Sequence, residues 1–354
     1  MQVWATVPAV APKLCPQPNI HKLVWPGDTE AMTEARIGEA SSQTEYLFVR
    51  DTFLERYQQN SIYDTVPVRT PDGVWLCSPS YGGQWSFVGC QRFGRNLVRV
   101  SVYELYKKAV PEREIMHAHA HAIGPDEVAQ YSADEEHLPA KVHRLLVQLL
   151  DLGDNLSLLG DGVGVQHKDA EALVGFSRAE LAANGWLRYP ALCSLAQVAP
   201  LAMTQQAFLS RCKSLNELMQ KIPEKYLLSL LTAAGCANNE LKTFGGRFKL
   251  IQALFVLVDG LRKNGDGVAS FAGSADVFDW REQSAAMSAL FVNYDLRKAD
   301  AHDLGGEWRK RLEELGFDTA QLNDGYGRAL DFMFDAVIAS LQTLNQSLRA
   351  VLTA

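Results

Sequence analysis

An arginine and a histidine lie five residues apart near the end of a helical pattern, in Asn293-Tyr-Asp-Leu-Arg297-Lys-Ala-Asp-Ala-His302. An imidazole titrates near neutral pH, so it can take a proton from a ribose 2'-hydroxyl or give one to a leaving oxygen. A guanidinium is permanently charged and offers parallel donors to a phosphate on which negative charge builds up. Arg297 and His302 therefore predict RNA cleavage by the substrate's own 2'-hydroxyl, a reaction that needs no metal ion.

This spacing in a helical setting resembles the HEPN family of small helical bundles, many of whose members are metal-independent endoribonucleases with an Arg-x4-6-His motif. The resemblance covers roughly residues 214–354. It implies an RNA-cleaving enzyme without a cofactor, such as a bacterial toxin or phage-defence effector, with Arg297, Asp300 and His302 in the catalytic site. Lys298 stands where many members have a small polar residue such as Asn, and we expect it to contact RNA.

The same residues have a structural explanation. Arg297 and Asp300 are three residues apart, which on a helix is the spacing of a surface ion pair that needs no function. With eight histidines in the chain, about one such Arg-to-His spacing is expected by chance. Arg113 and His119 form a second one, in a segment that we predict to be non-helical. The alternative function is a non-catalytic protein whose bundle serves as a dimerisation or docking surface for a partner protein or nucleic acid.

Three histidines alternate with alanines in His117-Ala-His119-Ala-His121. In a strand, alternate residues share a face, so the three imidazoles would converge on one metal ion such as zinc. In a helix only His117 and His121 would align. The triplet is therefore a candidate metal site whose geometry depends on the local secondary structure.

Basic and aromatic residues interleave between Trp85 and Lys108, a composition typical of surfaces that bind single-stranded nucleic acid. Arg92, Arg95 and Arg99 are the candidate nucleic-acid contacts in this strip. The structural alternative is a sheet with an aromatic core face and a basic solvent face.

The pattern along the chain changes from strand-like to helical. Short aromatic and β-branched runs, separated by turn signals such as Pro71-Asp-Gly73, predict a small sheet over residues 45–106. Beyond His121, apolar residues recur at intervals of three and four. The sequence thus predicts an α+β protein with a strand-rich N-terminal module (1–125), a helical connector (126–205) and a HEPN-like helical bundle (206–354).

Individual helices can be placed from apolar spacing and capping signals. Ser177-x-x-Glu180 and Ser214-x-x-Glu217 have the form of a capping box, so each predicts a helix start. Residues 160–164, which are rich in glycine, predict a loop. The helical segments are predicted over residues 140–152, 224–234, 240–263, 279–303, 307–315 and 326–352.

Helix geometry also predicts an oligomer. Residues five apart lie about 140° apart around a helix axis, so Arg297 and His302 share no face unless the helix ends or bends between them. We therefore expect a homodimer through the C-terminal bundle, because a two-fold contact brings two copies of the motif together. The apolar face of 326–352, with Phe255, Phe291 and Phe332, is expected to fill both the bundle core and this interface.

Composition limits the remaining possibilities. The chain has no apolar run of the length that a membrane span needs and no signal-peptide pattern at its start, so we expect a cytoplasmic protein. The six cysteines are scattered and predict reduced thiols. Because the formal net charge is −7, contact with RNA would need a local basic surface.

Overall fold

A computed structural model describes residues 19–39, 45–301 and 307–354 of the chain. The chain divides into two compact units, Met1–His137 and Leu138–Ala354. The first contains every described strand and the second is helical, so the predicted α+β class is confirmed. Residues 138–205, which we expected to form a separate connector, belong to the second unit. No described helix combines the length and the apolarity that crossing a membrane requires.

The strands of the first unit form two antiparallel sheets. The strands are β1 (Tyr46–Arg50), β2 (Tyr63–Asp64), β3 (Val68–Arg69), β4 (Trp75–Leu76), β5 (Ser80–Tyr81), β6 (Trp85–Ser86), β7 (Gln91–Phe93), β8 (Leu97–Ser101) and β9 (Ala122–Ile123). The larger sheet has the order β3-β4-β7-β8-β1-β9, and the smaller has the order β2-β5-β6.

Turn residues set the register of these strands. At the predicted turn between β3 and β4, the amide of Gly73 donates to the carbonyl of Thr70 at 2.9 Å, and Gly73 has a φ of 89°. A side chain with a Cβ is disfavoured at that φ, which explains the glycine. In the centre of the larger sheet, β1 pairs with β8 from Tyr46 opposite Ser101 to Arg50 opposite Leu97.

Among the described residues, five short α-helices accompany the sheets and eleven α-helices build the second unit. In the first unit they are α1 (Glu34–Gly38), α2 (Glu55–Gln58), α3 (Val102–Leu105), α4 (Glu112–His121) and α5 (Pro125–Val128). In the second they are α6 (Leu138–Gly162), α7 (Ala170–Val174), α8 (Arg178–Asn184), α9 (Pro190–Leu195), α10 (Gln205–Met219), α11 (Glu224–Ala233), α12 (Asn238–Phe244), α13 (Arg247–Asn264), α14 (Ser288–Ala301), α15 (Glu307–Glu314) and α16 (Gly327–Thr353).

The core of the second unit forms around α16. Its apolar residues at three- and four-residue spacing, from Leu330 to Leu348, are buried against α6, α10, α13 and α14. The helix predicted over 326–352 is therefore confirmed almost residue for residue. A polar contact fixes the register of α6 against α16, because Asn155 donates to Asn345 at 3.0 Å and Asn345 donates to the Gln148 carbonyl at 2.9 Å.

One of the two helix starts predicted from capping boxes is present, although the amide of Ser177 donates to the Tyr189 hydroxyl rather than to Glu180. Ser177 accepts from the amide of Glu180 at 3.3 Å at the start of α8, as predicted. The prediction at Ser214 was wrong, because this residue lies inside α10 and donates to the Ser210 carbonyl. That helix starts earlier, where Thr204 accepts from the amide of Ala207 at 3.2 Å.

Three further helix limits differ from the prediction, and one of them is the start of the helix predicted over 279–303, which begins only at Ser288. The segment 240–263 is two helices, because Gly245 and Gly246 both have positive φ, at 80° and 43°, and end the first helical path. The predicted glycine loop starts later than expected, because α6 continues to Gly162. The break at Gly245 and Gly246 matters most, since it places the start of α13 at the surface.

The core assignment can be tested within one helix. We expect Leu149→Ala, at a side chain that is 1% exposed, to lower the free energy of unfolding by about 2–5 kcal/mol through lost burial and a cavity. Leu158→Ala in the same helix removes a side chain that is 57% exposed and should cost less than about 0.5 kcal/mol. Urea unfolding followed by circular dichroism at 222 nm measures both, and equal losses would contradict the assignment.

Candidate functional site

Arg297 and Lys298 lie in the last two turns of α14, next to an aromatic ring. The Arg297 guanidinium carbon is 4.8 Å from the centre of the Tyr294 ring, and the Lys298 ammonium is 4.3 Å from it. Stacking on a ring holds a long cationic side chain in place without neutralising its charge. His302 and the side chain of Asp300 lie outside the described residues.

These two cations line a groove of about 570 Å³ between four helical segments. Its walls come from the end of α10, the start of α11, the turn between α12 and α13 with the start of α13, and the end of α14. We call it the cationic groove. Its charged lining residues are the cations Arg247, Lys249, Arg297 and Lys298 and the carboxylates Glu224 and Asp295.

The six charges are not equally compensated. Lys298 is 3.6 Å from Asp295, and Arg247 is 3.8 Å from Glu224 while its Nε donates to the Ile222 carbonyl. Within the described part of the chain, no carboxylate lies within ion-pair distance of Lys249 or Arg297. These two side chains therefore give the groove a positive charge that is available to an anion.

The start of α13 adds to this positive potential. Gly245 and Gly246 are exposed, and no described side chain caps the helix that follows them. The first residues of α13 line the groove, so the positive end of an 18-residue helix dipole lies beside the two uncompensated cations. Such a helix start favours phosphate groups because its first amides lack helical partners.

Aromatic rings form one wall of the groove. Phe248 is buried and contacts the half-buried rings of Tyr294, at 5.7 Å between centroids, and Phe291, at 6.4 Å. Rings that are fixed on one side and open on the other can stack on nucleobases, whose faces are also aromatic. The groove thus combines phosphate-binding charge with a stacking surface.

Most of this site was missed by the sequence analysis. Among the residues that line the groove, only Arg297 and Lys298 were predicted to bind or act on RNA. The structure brings them together with Arg247, Lys249 and the aromatic rings. A signal was present in Gly245-Gly-Arg-Phe-Lys249, because paired glycines before a helix are typical of anion-binding helix starts. The prediction of one helix over 240–263 concealed it.

The basic strip of the first unit does not form the expected surface. Arg92 and Arg95 are only 8% and 3% exposed, so they are part of the core and present almost no surface to a nucleic acid. The Arg92 guanidinium lies 3.3 Å from Asp51, and two of its nitrogens have no described hydrogen-bond partner. Arg99 is half-buried, stacks on Tyr46 at 4.3 Å and donates to Gln91.

Burial dominates the ionisation of this charged core. It raises the pKa of Asp51 to about 6, although Arg92 and Arg95 act in the opposite direction. Burial lowers the pKa of His137 to about 3, and the same two arginines lower it further. The basic surface was predicted wrongly because Arg92 pairs inside the core with Asp51, a residue that is distant from it in the sequence.

The three histidines of the predicted metal site lie in helix α4, not in a strand. Each bonds a backbone carbonyl: His117 that of Phe53 at 2.9 Å, His119 that of Val24 at 3.0 Å, and His121 that of His117 at 2.9 Å. Burial lowers the pKa of His117 to about 4. Among the residues that the structure describes, no group of three or more potential ligands is placed to hold a metal ion.

The second Arg-to-His spacing is also helical. Arg113 and His119 both belong to α4, so our prediction of a non-helical segment was wrong. Arg113 bonds the buried carboxylate of Glu114 at 3.0 Å, which also accepts from the Tyr57 hydroxyl at 2.7 Å. A helical setting alone therefore does not distinguish the two motifs, whereas the open cationic groove is a feature of the Arg297 motif.

The different roles of the arginines in the first unit can be tested by stability. We expect Arg92→Ala to lower the free energy of unfolding by about 3 kcal/mol, because it leaves Asp51 buried without its partner. Arg99→Ala removes a half-buried stacking contact and should cost about 1 kcal/mol or less. Urea titration followed by tryptophan fluorescence measures both, and an Arg92 variant as stable as the parent would contradict a structural role.

The candidate site is therefore the cationic groove, built from two cations and a helix start that no described side chain pairs or caps, together with an aromatic wall. Its residues come from segments that are up to about 75 positions apart in the sequence and converge through helix packing. In comparisons with known proteins, no family model, no curated protein and no solved structure matches this chain.

Proposed function

We propose that the protein binds single-stranded RNA in the cationic groove and cleaves it without a metal ion, as the resemblance to HEPN endoribonucleases implies. The observation that supports this proposal is the position of Arg297, which pairs with no described carboxylate and lies in a groove with other cations and aromatic rings. The substrate is then a cytoplasmic RNA, and the biological role is that of a toxin or phage-defence effector.

In the proposed reaction, Arg297 binds the non-bridging oxygens of the scissile phosphate. His302 takes the proton of the neighbouring 2'-hydroxyl, whose oxygen forms a bond to phosphorus while the bond to the 5'-oxygen breaks. The leaving oxygen takes a proton from water and the protonated His302 returns its proton to solvent, so the products are a 2',3'-cyclic phosphate and a 5'-hydroxyl. The role of His302 rests on the sequence motif, whereas that of Arg297 is supported by its position in the groove.

The other groove residues have roles in binding. Lys249 and the start of α13 attract a flanking phosphate, because both carry positive charge that no described carboxylate neutralises. The Tyr294 ring, whose centre is 4.8 Å from the Arg297 guanidinium carbon, holds that side chain in the groove wall. Lys298 and Asp300 remain candidates, the first for RNA contact and the second for orienting the catalytic pair.

Cleavage is tested with Arg297→Ala and His302→Ala. We expect each to lower the rate of RNA cleavage at least about 100-fold, because a charge-stabilising donor or a proton-transfer group is lost. Far-UV circular dichroism should stay unchanged, and cleavage by the parent should persist in EDTA. The readout is the rate at which a labelled single-stranded RNA yields products that end in a cyclic phosphate.

Arg309→Ala is the matched control for Arg297→Ala. Arg309 also stacks on an aromatic ring, at 5.4 Å from Trp308, but it does not line the groove. This variant should cleave at the parental rate. Parental protein that binds RNA without cutting it would favour the non-catalytic alternative, and cleavage by all variants at the parental rate would overturn the proposal.

The homodimer through the C-terminal bundle stays a prediction, with less surface to support it than we expected. The apolar face of α16 and the ring of Phe255 are buried within the unit, so they cannot also form an interface. A dimer would have to use other residues, such as those around the end of α14. Light scattering at micromolar concentration should give twice the mass of 39.2 kDa, and a monomer that still cleaves RNA would contradict the prediction.

A further inference from the structure

A second cavity, of about 630 Å³, adjoins the cationic groove. Lys249, Phe291 and Asp295 line both spaces, so the two spaces are neighbours along α13 and α14. Each space falls within the range of about 300–1,000 Å³ that is usual for sites of small-molecule size. Each therefore has room for one nucleotide or a large part of it.

The second cavity differs from the groove in its charge. Its two further arginines are already paired, Arg281 with Glu240 and Arg311 with Glu314 at 3.3 Å. An arginine that is bonded to a carboxylate attracts a phosphate much less than a free one, because the two charges largely cancel at a distance. The phosphate of a bound strand is therefore favoured in the cationic groove, and an uncharged part of the nucleotide is favoured here.

The walls of this cavity suit a nucleobase. Phe244 and Phe291 line it, and Phe244 is held by an edge contact to Trp280 at 4.8 Å. Gln283 and Ser288 also line it, and no residue in the described ranges forms a hydrogen bond with either side chain. An amide and a hydroxyl can each donate and accept, which is what the edge of an unpaired base requires.

The cavity beyond it has the opposite charge. Asp279 and Glu282 line a space of about 470 Å³, which shares Gln283 with the second cavity; its third carboxylate, Asp259, is paired with Lys263 at 2.8 Å. Because no described cation pairs with Asp279 or Glu282, these two carboxylates repel the phosphates of an approaching strand. A bound strand therefore leaves the protein surface after the second cavity.

We propose that the second cavity is a nucleobase subsite for the nucleotide next to the phosphate held by Arg297, and that Gln283 and Ser288 read its base edge. This inference rests on the proposed function. It specifies the substrate as RNA with at least two consecutive unpaired nucleotides and a preference for one base at the second position. A base-paired strand cannot occupy the subsite, because its base edges are already bonded.

The test is a binding assay on full-length His302→Ala protein, which keeps the RNA intact. Fluorescence anisotropy gives the dissociation constants of labelled RNA pentamers of A, C, G and U. We expect the best and the worst pentamer to differ by about tenfold, since a pair of hydrogen bonds to a base edge contributes that much discrimination. In the double variant Gln283→Ala, Ser288→Ala the difference should fall below about twofold.

Two further variants separate the subsite from the groove. Arg297→Ala, at a residue that lines the groove but not the second cavity, should weaken all four pentamers to a similar degree, since it removes phosphate contact without base contact. Gln166→Ala with Ser229→Ala changes the same residue types in a different cavity and should leave the preference unchanged.

The outcomes are distinct. If the protein binds no pentamer, both the proposed function and the subsite fail. If it binds all four equally, or if the double variant keeps the preference, the subsite is overturned while RNA binding stands. Loss of preference in the Gln166 and Ser229 control would also overturn it, because the effect would not then be specific to this cavity.

Discussion

The burial of helix α16 holds the second unit together, and the candidate site depends on it. Its apolar face contacts α6, α10, α13 and α14, so α13 and α14, which form two of the groove walls, are both positioned by the same central helix. Close packing resists small displacements, since a cavity or an overlap of one methylene group already costs free energy. The distance between the start of α13 and the end of α14 is therefore set by the core rather than by contacts across the groove.

Buried polar groups specify this arrangement further. Ser347 of α16 donates to Asp259 of α13 at 3.1 Å, and Asn345 bonds to two residues of α6. A shift of either helix along α16 would leave these groups without partners, at a cost of about 1–3 kcal/mol each. Apolar packing thus supplies most of the stability, while the polar contacts exclude alternative registers.

The sequence predicted local structure well where a pattern was long. The heptad-like spacing of α16, the limits of α11 and the turn at Gly73 needed only neighbouring residues, and all three were found as expected. The helix start predicted at Ser214 was wrong because a Ser-x-x-Glu sequence inside a helix has the same residue types as one at a helix start. The break at Gly245 was not predicted because the apolar residues on both sides of it continue the same helical spacing.

The candidate site was less predictable, because its parts are joined only by tertiary contacts. Arg297 was identified from a motif, but its neighbours Arg247 and Lys249 lie on another helix. Arg92 was assigned to a surface because its sequence neighbours are basic and aromatic, whereas Asp51, 41 residues away, places it in the core. A run of basic residues therefore predicts a basic surface only when the residues that pair with it from distant parts of the sequence are known.

The order of the helices has a consequence for biosynthesis. The contact between Asn155 and Asn345 spans 190 residues, and α16 follows every other helix of its unit in the sequence. Pairings of such high sequence separation form slowly, and a chain emerges from the ribosome at only about 5–20 residues per second. For roughly 10–40 s the nascent helices therefore expose the apolar residues that α16 will cover, and such exposed surface is prone to aggregate. During that interval the walls of the groove are not yet held together, so the groove is complete only after α16 has been made.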